Sequence, residues 1–142
     1  MTARTPGLAL AVTVVVIAAA ALVLLASGFG EASSNEETIA IHFSHFVPDV
    51  IEVPAGEPVT ITLQNDDPIG HEWMVGDAAM HQRHRTGTEP FHETVPTEVS
   101  IPALETRVTT VTFEEPGDYA YICHLPGHEE YGMTGVLRVV GE

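Results

Sequence analysis

Cys123, His128 and Met133 lie five residues apart in the stretch Cys123-His-Leu-Pro-Gly-His128-Glu-Glu-Tyr-Gly-Met133. A thiolate, an imidazole and a thioether on one short loop are soft donors that suit copper. A second imidazole would complete a trigonal site with a weak axial ligand. His71 is the candidate for that imidazole: it follows Pro68-Ile-Gly70 and opens the stretch His71-Glu-Trp-Met-Val75. One ligand upstream and three on a C-terminal loop would set the site between two strands, whose rigidity would suit electron exchange. The single Cys excludes an intrachain disulfide and any site needing two thiolates, zinc ribbons and binuclear copper centres included. His124 should point away from Cys123 by strand parity, so the adjacent pair is not read as a double ligand.

The elements that must position these residues are short β-strands. Ile39, Ile41 and Phe43 alternate with polar or small residues. So do Val59, Ile61 and Leu63; then Val111 and Phe113; then Tyr119, Tyr121 and Cys123; and finally Val136 to Val140. The breaks fall at Val53–Gly56, Asn65–Pro68, Glu115–Gly117 and Leu125–Gly127. This pattern predicts an all-β sandwich or barrel. Gly127, Gly132 and Gly135 would permit tight turns in the ligand loop. Trp73 and Met74 read as core packing, with only one of them fully inward. Asp77 to Glu93 fits neither period and reads as a long excursion with a short helical turn over residues 78–84. Its histidines, His81, His84 and His92, read as part of a solvated loop rather than as a second metal site. His42 and His45 receive no role.

At the N-terminus, Leu8 to Ala26 is an uncharged apolar run of 19 residues behind Arg4. As a helix it would reach ~28 Å, about the hydrocarbon thickness of a bilayer. It reads as a membrane anchor or a signal peptide, with Arg4 inside and the domain exported. No Cys follows it, which excludes a lipid-anchored lipoprotein. The expected organisation is an anchor or signal over residues 1–27, a flexible linker over 28–37 and a folded domain over 38–142.

The domain resembles the cupredoxins, the small blue copper proteins of the plastocyanin, azurin and rusticyanin group. The motif Cys123-x4-His128-x4-Met133, with His71 upstream and Pro116-Gly-Asp-Tyr119 before the Cys, carries the likeness. Its loop spacing is similar to that of rusticyanin and sulfocyanin rather than plastocyanin. The resemblance implies a Greek-key β-sandwich holding one type 1 copper ion. His71, Cys123 and His128 would be equatorial ligands and Met133 the axial one. It further implies outer-sphere electron transfer without substrate turnover. Many members carry Asn or Ser after the first His, tying the two ligand loops together. Glu72 stands there in this sequence, so the reduction potential is not carried over.

The chain is strongly acidic. Its 20 acidic residues all lie at or after Glu31, there is no Lys, and the net charge is −15. That excludes a nucleic-acid binder working through a basic face. An acidic rim with Glu129 and Glu130 around the apolar Ile69, Leu125 and Pro126 would steer a cationic redox partner. Such a partner would be a c-type cytochrome or a membrane oxidase or reductase complex, met by a monomer. Adaptation of the surface to salt is the other reading of the charge, and copper delivery or resistance is the other reading of the site.

Overall fold

The computed structural model describes residues 35–87 and 95–141. Residues 1–34, 88–94 and 142 lie outside the description, and with them the expected N-terminal helix, most of the linker and His92. Among the described residues no helix is long and apolar enough to cross a membrane.

Among the described residues nine strands form two sheets. They are β1 (Glu36–His42), β2 (His45–Val47), β3 (Val50–Pro54), β4 (Val59–Asn65), β5 (His71–Gly76), β6 (Glu98–Ile101), β7 (Thr106–Val111), β8 (Gly117–Ile122) and β9 (Thr134–Val140). One sheet has the order β2-β1-β4-β7 and the other β3-β9-β8-β5-β6. β1 runs parallel to β4 and β3 parallel to β9; the other pairs are antiparallel. One helix, α1 (Ala78–Arg85), follows β5.

The alternation read from the sequence is what closes the sandwich. Ile39 and Ile41 of β1 and Val59, Ile61 and Leu63 of β4 face Ile51, Val53, Trp73, Val75, Tyr121, Leu137 and Val139 of the other sheet in one core. Each such side chain contributes about 1.5–3 kcal/mol by leaving water. Tyr121 is fully buried at its centre, its ring edge-on to Phe46 and its hydroxyl donating to the Pro48 carbonyl at 2.9 Å.

Several boundaries differ from expectation. β1 starts at Glu36, which pairs with Thr60, so the strand takes two residues from the span read as linker. Phe43 is not a strand residue: it sits in a turn at φ 52° and is 79% exposed. β7 ends at Val111, and Phe113 packs on the core from the segment beyond it. The helical turn read over 78–84 is a helix ending at Arg85, capped by Asp77, whose side chain accepts from the Met80 amide at 2.7 Å. Trp73 and Met74 are both fully buried. Trp73 enters the core, while Met74, its neighbour along the strand, points to the opposite face of the sheet and is buried there. A strand covered on both faces loses the inside/outside contrast that parity arguments assume.

Candidate metal centre

His71 opens β5, and Cys123 lies immediately past the end of β8. The two strands are antiparallel, with Met74 opposite Ile122, so both residues reach the same end of the sheet. The loop from Cys123 to Met133 then folds back on itself. Gly127 and Gly132 adopt φ of +86° and +90°, a conformation that strains residues with a Cβ. Gly135 does not serve a turn; it leaves room for the Tyr121 ring, which would come within 2.2 Å of an added Cβ. The Met133 amide donates to the His128 carbonyl at 3.0 Å, and the Met133 carbonyl accepts from the Cys123 amide at 3.2 Å. Met133 is thereby fixed between the other two loop residues, with its side chain fully buried.

His71, Cys123 and His128 each bring one donor atom into a common space, all within 4.8 Å of one another. His71 Nδ1 is 3.3 Å from His128 Nδ1, and Cys123 Sγ is 3.3 Å from the same nitrogen. His71 and Cys123 are buried and His128 is half-buried. The Asp67 carboxylate accepts from His71 Nε2 at 3.0 Å, which leaves the lone pair of His71 on Nδ1, facing the other two donors. One hydrogen on His128 Nδ1 cannot satisfy both His71 Nδ1 and Cys123 Sγ. Three soft donors converging in this way fit a bound cation with N₂S preference. Burial pushes the Cys123 thiol above its ordinary value, opposed by amide hydrogen bonds from Leu125 and Glu72. Burial lowers His71, opposed by Asp67. His71 Nδ1 is therefore ready as a neutral donor, while the thiol must give up its proton on binding a metal.

The model of the cupredoxin-like domain matches residues 13–139. The chain belongs to the cupredoxin-like family. This cupredoxin is similar to two proteins named copper-resistant cuproprotein CopI. The one from Pseudomonas aeruginosa is 28% identical over 67% of this chain and 70% of that protein. The one from Rubrivivax gelatinosus is 28% identical over 78% of this chain and 70% of that protein. Among solved structures, a reduced auracyanin from Roseiflexus castenholzii superposes with a TM-score of 0.63 at 21% identity, covering 77% of this chain and 99% of that one. Auracyanin A of Chloroflexus aurantiacus, described as a "blue" copper protein, gives 0.57 at 24% identity, covering 74% and 98%. These structures share the fold of this cupredoxin.

Around the donors the cupredoxin carries a polar layer that was not legible as part of the site. Asp67 is buried and accepts from His71 and from the amides of Phe43 and Ser44 at 2.8 and 2.7 Å. Those hydrogen bonds hold its carboxyl below the usual range although burial raises it. Asn65, also buried, donates to the carbonyls of Ile69, Ile101 and Pro102 and accepts from the Asp67 amide. The stretch Asn65-Asp-Asp-Pro68 reads as a turn alone. The usable signal was parity: Asn65 continues the inward series Val59, Ile61, Leu63.

The excursion histidines correct the expectation of a solvated loop. His81 is 2% exposed, and its Nε2 donates to the Ala120 carbonyl at 3.1 Å. Its Nδ1 is 2.9 Å from His124 Nε2, so His124 does face away from the donor atoms and meets the helix instead. His84 stacks at a tilt on His124 with ring centres 4.9 Å apart.

Proposed function

We propose that this cupredoxin is a type 1 (blue) copper protein that carries single electrons between redox partners. The convergence of His71 Nδ1, Cys123 Sγ and His128 Nδ1 is the observation that carries the reading. His71, Cys123 and His128 would hold one ion, with Met133 as a weaker fourth ligand. When bound, copper supplies a one-electron couple between Cu(I) and Cu(II), with no substrate turned over. The chain's part is to hold its donors nearly still: His71 is locked through Asp67, and the loop through the Met133 backbone. Half-buried His128 is the ligand nearest solvent, and Ile69 and Leu125, each two residues from a donor, are exposed. With Glu129 and Glu130 close by, this end would receive a cationic protein such as a c-type cytochrome, or a membrane oxidase or reductase complex, on a monomer. The apolar run Leu8–Ala26 supports an exported domain, anchored or released.

The test is a visible spectrum of the Cu(II)-loaded chain followed by a redox titration. An intense thiolate band and a reversible one-electron step are expected; an ion that cannot be cycled without loss would sink the carrier reading. Met133→Leu should keep the colour and raise the potential, because losing an axial donor destabilises Cu(II). An unchanged potential would place the thioether away from the metal.

The names of the two CopI relatives favour a second reading, copper delivery or resistance. Stoichiometry separates the two. The triple variant His81→Ala, His84→Ala, His92→Ala is expected to bind one copper per chain, as the wild type does. A wild type with two that falls to one in the variant would favour copper handling.

A further inference from the structure

The ladder between β5 and β8 pairs Gly76, Val75 and Met74 with Ala120, Tyr121 and Ile122, and stops there, short of the ligands. The three donor residues are followed by Glu72, His124 and Glu129, and each of these meets the same helix. His84 Nε2 lies 3.8 Å from Glu72 Oε2. His124 Nε2 lies 2.9 Å from His81 Nδ1. Arg85 Nε donates to both Glu129 oxygens, at 2.9 and 3.2 Å, and Arg85 Nη2 pairs with Glu129 Oε1 as well. Positions 81, 84 and 85 share one helix face by their i, i+3, i+4 spacing. Across the cluster, His124 Nδ1 is 3.4 Å from Glu129 Oε2, which ties the residues after Cys123 and His128 to each other. The helix itself is seated by its Asp77 cap and by Met80 against Gly76, where an added Cβ would meet the Met80 side chain at 2.3 Å.

We propose that α1 is an outer clamp holding the three ligand-bearing segments in their metal-ready arrangement. His81, His84 and Arg85 are positioning residues that act through His124, Glu72 and Glu129. The proposal rests on the copper reading above for its holo readout, but the clamp exists without the ion. The Glu72 amide reaches Cys123 Sγ directly, and its carboxylate adds a second link by way of the helix. His81, His124, Arg85 and Glu129 are engaged with one another, His84 Nδ1 is buried without a hydrogen-bond partner, and the task of the cluster is to hold β5 and the 123–133 loop in mutual register.

The experiment uses the full chain and the variants Arg85→Gln, His81→Gln, their double, and Arg85→Lys. In the copper-free state, amide hydrogen exchange over residues 123–133 should quicken in the double variant while β1 and β4 keep wild-type protection. In the Cu(II)-loaded state, the thiolate band should persist and a chelator should strip the metal about tenfold faster, the lower end of what outer-layer substitutions do to metal sites. Arg85→Lys, which keeps the charge but not the forked contact, should recover part of the loss. Wild-type exchange and wild-type release in the double variant would overturn the clamp. So would a loss of protection spread evenly over all strands, which would mean that these residues supply general stability. A wild-type chain without a copper–thiolate band would defeat the copper reading instead, and the copper-free exchange would still judge the clamp.

Discussion

Cys123→Ser is expected to leave the copper-loaded chain without its visible charge-transfer band. The band requires a thiolate on the metal, and Cys123 is the only Cys in the sequence. Its Sγ is fully buried, 3.3 Å from His128 Nδ1, and receives the Leu125 and Glu72 amides. A serine hydroxyl fits the same space but stays protonated, so the site would keep two imidazoles and lose its anionic donor. The fold should survive, since the side chain shrinks only slightly and the hydroxyl can accept the amides that the sulfur now takes. Absorption spectroscopy with a copper count checks it: a variant that retains the wild-type band would show the thiolate assignment to be wrong.

Asp67→Ala is expected to have the next largest effect, on stability and on metal binding together. The carboxylate satisfies the His71 ring and the amides of Phe43 and Ser44. Removing it leaves the buried His71 ring and two part-buried amides without a partner, for a cost of about 1–3 kcal/mol at the usual penalty for a buried group. It also frees the His71 ring to take the other tautomer, with hydrogen on Nδ1, where the ion would have to bind. Affinity should fall roughly 10–100-fold, as for other groups that orient a metal-bound imidazole. Urea unfolding of the copper-free chain reads the first effect and a competition titration reads the second. Wild-type affinity in a folded Asp67→Ala chain would show that the ring is oriented by packing alone.

The sandwich was legible because its core is written in period two. Val59, Ile61 and Leu63 alternate so plainly that no competing element fits, whereas β3 is hidden because Val53 reads with the break that follows it. That His71, Cys123 and His128 would meet was legible for a different reason: donor-bearing residues at the ends of two pattern-defined strands pointed to one place. What stayed hidden depends on distance along the chain. Asp67 reaches back to Phe43 and Ser44, and His81 reaches forward to His124, contacts that no local period encodes. Phe43 misled because an apolar residue in the right phase counts as strand, whereas Phe43 and Ser44 both turn into left-handed backbone to offer their amides to Asp67. Met74 misled because β5 is buried on both faces, so parity does not separate inside from outside there.

The parallel pairing of β1 with β4 sets a polarity for the whole folded unit. β1 begins at Glu36 beside Thr60 and ends where Ile41 meets Asn65, the residue that braces the Asp67 turn behind His71. The chain therefore enters at one pole and travels the length of a strand, roughly 20 Å, before reaching the pole that carries the donors. Ile69, Leu125 and the half-buried His128 lie at that second pole, a strand's length from the first described residue.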